Sequence, residues 1–371
     1  MIYFDQAATS FQKPPEVSAA VQRAFLNCAS VGRGGHDPSM EASKAAFNTR
    51  CLASEIFDTE PDQVVFTYHA THGLNIAIRS LVHAGDTVVI SGFEHNAVLR
   101  PLYEIGANII VAGEKLFQPD DTINAFSAVI HSGIKAVICT HISNVFGYVL
   151  PVEEIAEMCK HHHVPLILDA SQSAGVLPVS LKELGAAFIA MPGHKGLYGP
   201  QGTGILLCGQ IPKPLICGGT GSDSLNPYMP TYLPDAAEAG THNIHGLSGL
   251  YEGLRFIQRT GNSTILTHER MLLEYFCEKM MAMPGVQLYH ASSDCQSGVI
   301  SFTFNHMDCE TLAKNLGDAD VAVRAGLQCS PLAHRSCGTL DCGTVRVSFS
   351  YYNTVAEINQ FSEILHDIVT S

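Results

Sequence analysis

Short apolar runs bounded by polar or turn-forming residues recur along the chain between residues 62 and 208, and they alternate with longer stretches of helical periodicity. The runs are Val64–Thr67, Thr87–Ser91, Asn108–Ala112, Ala136–Thr140, Pro165–Asp169, Ala187–Ala190 and Thr203–Cys208. They are too short for helices, and they are apolar at consecutive positions, so they predict strands buried on both faces. That is the pattern of an α/β fold with a mostly parallel seven-stranded sheet covered by helices. Gly298–Phe304 and Thr344–Ser350 read as further strands, and Thr354 with Glu357 has the spacing of a capping box ahead of a last helix. Residues 15–250 are expected to form a large domain. Residues 251–371, joined by residues 1–14, are expected to form a smaller α+β domain.

In such a sheet, ligand-binding loops follow the C-terminal ends of the strands. The polar clusters obey that rule: Ala70-Thr71-His72, Glu94-His95-Asn96, the stretch from His141 to Asn144, Asp169 with Gln172, and His194-Lys195 each come directly after a run. One site assembled from many loops is the expectation.

Composition narrows the possibilities. The chain has 371 residues, 46% apolar and 15% charged, enough to bury a sizeable core. A net charge of -14 without a basic run argues against nucleic acid as a partner. The first residues show neither a basic nor an apolar leader pattern, and no apolar run approaches the roughly 18 residues of a membrane span, so a cytoplasmic protein away from the membrane is expected. Twelve scattered cysteines then read as mostly reduced thiols.

Lys195 lies in a glycine-flanked turn, between Gly193 and Gly196, and Asp169 ends an apolar run upstream of it. An amine that attacks an aldehyde needs a lowered pKa and a fixed position, and an aspartate at the end of a buried strand can hold a pyridinium nitrogen protonated. Together they point to pyridoxal 5'-phosphate (PLP). The two glycines are read as letting the backbone approach a ligand. Thr71 opens a helix whose amides and dipole suit a phosphate, with an unliganded N-cap as the plain alternative. His95 can stack on a ring and move protons, or be a structural histidine. Arg346, set between apolar neighbours, requires an anion: a substrate carboxylate or an internal salt bridge. Cys329 sits in a loop between Gly326 and Pro331 that can present a thiol. Zinc held by Cys329, His334, Cys337 and Cys342 is disfavoured, since their spacing matches no common finger. The run His161-His162-His163 reads as exposed, because adjacent residues do not share a helix face.

Across Tyr3–Ala8, Gly32–His36, Thr71–Asn75, Glu94–Ala97, Ser143–Gly147, Asp169–Gln172, Gly193–Lys195, Glu238–Thr241, Arg324–Cys329 and Arg346, the chain resembles the fold-type I PLP enzymes of the class V aminotransferase group. Within that group it resembles the cysteine desulfurases and selenocysteine lyases. The resemblance implies that Lys195 carries the cofactor covalently, Asp169 pairs with its pyridine nitrogen, His95 stacks on its ring and takes part in catalysis, and Gln172 bonds its phenolic oxygen. It further implies that Thr71, His72 and His194 hold the phosphate, and that Thr241 completes the phosphate site of a neighbouring subunit in a homodimer. Arg346, with Asn144 and His36, is implied to bind the substrate, L-cysteine or L-selenocysteine, and Cys329 to take its sulfur as a persulfide. Pro192 and Ala70 depart from the pattern, each removing a hydrogen-bonding group near the phosphate. The short separation of Cys329 from Arg346 resembles a less mobile cysteine loop, which implies help from a sulfur-acceptor protein. Selenocysteine lyase, an aminotransferase or β-eliminating lyase on the same scaffold, and a non-catalytic PLP-binding sulfur sensor stay open as alternatives. Cys337 and Cys342 fall outside the pattern and read as neutral positions, a redox pair with Cys329, or a relay.

Overall fold

The computed structural model describes residues 1–32, 34–291 and 294–370; Arg33, within the Gly32–His36 stretch, lies outside them. The chain opens on a two-residue strand, β1 (Ile2–Tyr3). Seven strands then build the large sheet: β2 (Val64–Thr67), β3 (Thr87–Ser91), β4 (Asn108–Ala112), β5 (Ala136–Thr140), β6 (Leu166–Asp169), β7 (Phe188–Pro192) and β8 (Gly204–Cys208). Their order is β2-β8-β7-β6-β5-β3-β4. Strand β8 runs antiparallel to both its neighbours, and the pairings from β7 through β4 are parallel. The expected seven-stranded, mostly parallel sheet is the one observed.

Why these segments are uniformly apolar is visible in where alternate residues go. Val89, Val137, Cys139, Leu168, Ile189 and Leu207 pack in one hydrophobic cluster, while Val88, Ile90, Ile138, Ile167, Phe188 and Leu206 pack in another. Successive side chains point to opposite faces of a strand, so a sheet with helices on both sides has no polar face. Each such Leu, Ile or Phe contributes roughly 1.5–3 kcal/mol of burial. Because β2, β3, β5, β6 and β7 share a direction, Thr67, Ser91, Thr140, Asp169 and Pro192 all end at one edge of the sheet.

The rest of the chain builds a second, smaller sheet in which β10 (Val299–Phe304) lies between β9 (Val286–Tyr289) and β12 (Val345–Ser348), all antiparallel. Strand β1 pairs in parallel with β11 (Val321–Ala322), and Ile2 and Phe4 join Phe276, Ile300, Phe302 and Phe361 in a third cluster. The helix Ile244–Thr260 runs through residue 250, the expected boundary, and its Leu250, Leu254 and Ile257 pack with the large sheet. The closing helix Val355–Thr370 has the expected capping box: the Thr354 N–H donates to Glu357 Oε2 at 2.7 Å and the Glu357 N–H to Thr354 Oγ1 at 3.3 Å. Among the described residues, no helix is long and apolar enough to cross a membrane.

Candidate active site

At the C-terminal edge of the large sheet, a cavity open to solvent is lined by Thr71, His95, Asn144, Asp169, Gln172, His194 and Lys195 among others. Asp169, 3% exposed, is the last residue of β6, and its Oδ1 accepts from the Ser171 N–H at 2.9 Å. Lys195 follows β7 in a tight turn. Burial lowers its ammonium from the ordinary 10.5 to about 8, with the Asp169 carboxylate opposing and Arg346 reinforcing the drop. The flanking glycines also have a packing role within the protein. A Cβ on Gly193 would lie 2.0 Å from Thr203 Oγ1, and one on Gly196 2.4 Å from the Ala174 carbonyl oxygen. They let the turn press against its own protein neighbours.

His95 is the N-cap of the helix Asn96–Ile105, where its Nδ1 accepts from the Ala97 N–H at 3.0 Å. Burial lowers its pKa to about 4, against the pull of Asp169. A neutral imidazole that accepts at Nδ1 carries its proton on Nε2, so His95 presents a flat ring with one donor edge. Its neighbour Glu94 is fully buried and burial raises its carboxyl to about 8. It accepts from Ser91 Oγ and from the Thr140 N–H, tying the ends of β3 and β5 together.

The helix Ala70–Leu81 points its N-terminus between two cavities. His69, rather than Thr71, is the N-cap, and its ring Nδ1 accepts from the His72 N–H at 3.1 Å. Thr71 therefore sits inside the first turn, where backbone N–H groups lack intrahelical partners and favour an anion. Thr71 lines the Lys195 cavity. His72, stacked on Tyr68, instead lines a separate cavity with Thr241. His36 lines neither and is exposed at the N-cap of Asp37–Ile56.

Arg346, on β12, is 3% exposed, and its guanidinium is already engaged. It donates to Asp5 Oδ1 at 2.7 Å and to the Asn144 carbonyl at 2.8 Å, and its Nε has no partner. Arg324 binds the other oxygen of Asp5 at 2.7 Å. The internal ion pair is thus real, and an incoming carboxylate must share or displace Asp5. Sequence reasoning missed Asp5, whose role was hidden by the 341 positions separating it from Arg346. It missed the whole strap to which Asp5 belongs. Ala7 accepts from Gln172 Nε2 at 3.0 Å, and the His194 carbonyl accepts from the Ser10 N–H and from the hydroxyls of Thr9 and Ser10. The N-terminal residues clamp the Lys195 turn from outside.

Cys329 is exposed, and its carbonyl accepts from the Asn96 N–H at 2.8 Å, so its loop is bonded directly to the loop of His95. His334 is buried and uses both ring nitrogens, on Thr339 and on Gln328. No lone pair is left for a metal shared with Cys329, Cys337 and Cys342. His161 and His163 are exposed, as expected, whereas His162 is half-buried.

The cavity fits PLP on structural grounds. Its lining brings together a buried carboxylate, an amine of lowered basicity, a neutral imidazole and the first turn of a helix, the donor set that the group requires.

Comparison with known proteins agrees with this arrangement. The family described as Aminotransferase class-V matches residues 2–361. A probable cysteine desulfurase of Pyrococcus abyssi is 32% identical, with 100% of this chain and 95% of the relative covered. One from Methanothermobacter thermautotrophicus is also 32% identical, covering 99% and 94%. Among solved structures, the apo cysteine desulfurase of Thermococcus onnurineus superposes with a TM-score of 0.91 at 30% identity, covering 100% of this chain and 94% of that one. The Escherichia coli cysteine desulfurase CsdA, 22% identical, shares the fold with a TM-score of 0.87 over 99% and 94%. With nearly its whole length matched, the chain belongs to the class V aminotransferase family.

Proposed function

We propose that the chain is a PLP-dependent cysteine desulfurase that converts L-cysteine to L-alanine and keeps the sulfur on Cys329. The observation that carries this reading is the direct bond between the Cys329 carbonyl and Asn96, the neighbour of His95, which lines one cavity with Lys195 and Asp169. When bound, PLP supplies an electron sink for charge developing at the substrate Cα. Asp169 would hold the pyridine nitrogen protonated, His95 would stack on the ring, and Gln172 would donate to the phenolic oxygen. The first turn after His69, with Thr71 and His194, would hold the phosphate. Arg346 takes the substrate carboxylate with Asn144 beside it, and the Lys195 amine moves the Cα proton. The Cys329 thiolate then attacks the cysteine sulfur: an S–S bond forms, the C–S bond breaks, and the released carbon, once protonated, is alanine.

The same reading makes the protein a homodimer. Thr241 and His72 line a cavity apart from their own Lys195, where Thr241 would complete a partner's phosphate site, and Leu225 and Tyr228 are 99% and 81% exposed on the segment leading to it. Residues 251–371 with 1–14 act as the small domain that brings Arg346 and Cys329 to the cofactor. Cysteines that form no disulfide among the described residues suit a reducing cytoplasm. A sulfur-acceptor protein is the expected onward partner.

The lowered Lys195 ammonium gives a pH prediction. Only the free amine attacks an aldehyde, so the rate at which the apo chain takes up PLP should rise about tenfold per pH unit below pH 8 and level off above it, well below the ordinary 10.5. Stopped-flow absorbance across pH 6 to 10 checks this.

The reaction class is tested by incubating the purified PLP-loaded protein with cysteine and quantifying products. Alanine with sulfide is expected under reductant. Pyruvate with ammonia as the main products would replace this reading with β-elimination.

A further inference from the structure

Gln328 and Cys329 are consecutive non-glycine residues with positive φ, +43° and +60°. Left-handed backbone is disfavoured for side chains with a Cβ, and two such residues in succession persist only where the surroundings hold them. The surroundings here form a buried chain of polar side chains. His334, fully buried on the helix Pro331–Ser336, bonds Gln328 Oε1 through Nε2 at 2.8 Å and Thr339 Oγ1 through Nδ1 at 2.8 Å. The Gln328 Nε2 donates to the Thr344 carbonyl at 3.0 Å, which fixes the orientation of the amide and makes its Oε1 the acceptor facing His334. The imidazole must then donate from Nε2 and accept the Thr339 hydroxyl proton at Nδ1. Burial keeps it neutral, lowering its pKa to about 4. The Gln328 carbonyl is held in turn by Asn144 Nδ2 at 2.8 Å, and Asn144 Oδ1 accepts from Ser330 Oγ at 2.6 Å.

We infer that Thr339, His334 and Gln328 form a latch that sets the left-handed backbone of Cys329 and so aims its thiol. His334 is a positioning residue: it lies outside the cavity lining and acts through Gln328. This inference rests on Cys329 being the sulfur acceptor for its consequence in turnover, but the latch itself is a property of the chain alone.

The test uses His334→Ala and His334→Gln, with Thr339→Val as the milder variant if alanine prevents folding. Amide hydrogen exchange of residues 326–331 is read by mass spectrometry in the apo chain, and kcat and KM for alanine formation are measured in the PLP-loaded enzyme. His334→Ala should speed loop exchange about tenfold, leave peptides from β5 and β6 unchanged, and lower kcat about tenfold with KM within about twofold. Glutamine places an amide N–H near where Nε2 was, so His334→Gln should recover both readouts. Loop exchange within twofold of wild type in a folded His334→Ala protein overturns the latch, as does a loosened loop with unchanged kcat. If the wild-type enzyme makes no alanine, the desulfurase reading falls while the exchange measurement still decides whether the latch exists.

Discussion

Replacing Lys195 with alanine is expected to slow alanine formation from cysteine by about 10³-fold or more, since it removes both the covalent anchor of the cofactor and the group that moves the Cα proton. Asp169, His95, Thr71 and His194 line the cavity independently of Lys195, so the variant should still bind PLP. Its visible absorbance should change because no lysine bond to the aldehyde can form. A small primary amine added to the solution should restore part of the rate, while a bulkier amine should not enter the cavity. Turnover within tenfold of wild type would remove Lys195 from the mechanism.

Replacing Cys329 with alanine has the second large effect, and it is of a different kind. The thiol stands in a loop outside the cavity lining, joined to it through the Asn96 N–H and Asn144 Nδ2 bonds, so its loss leaves the cofactor site intact. Spectral changes on adding cysteine should persist, and alanine formation should fall at least about 10²-fold, the scale of losing an essential nucleophile. A β-eliminating enzyme predicts the opposite, undiminished turnover. Cys337 is a poor substitute, since burial pushes its thiol up to about 12.

Much of the large sheet was legible because its strands are buried on both faces, which writes an uninterrupted apolar run into the sequence. β9 and β11 were not, since Val286–Tyr289 is a half-buried edge strand and Val321–Ala322 only two residues long, too short for a period to show. The site loops were legible through the rule that ligands gather where parallel strands end. What the sequence hid were contacts between distant segments. Asp5 meets Arg346 and the Thr9 hydroxyl meets the His194 carbonyl, and neither pair leaves a local pattern. Gly193 and Gly196 were legible as necessary glycines, but their packing against Thr203 and Ala174 was not.

Sulfur transfer to Cys329 is the step on which the account stands, and it leaves a covalent mark. The PLP-loaded protein is mixed with a slight excess of cysteine without reductant, free thiols and persulfides are alkylated, and the digested peptides are weighed. One added sulfur on the peptide carrying Cys329, with alanine formed in matching amount and the mark lost on adding dithiothreitol, is the predicted result. Alanine formed without added sulfur on that peptide, or with the sulfur on Cys342 in a Cys329→Ala protein of full activity, would contradict it.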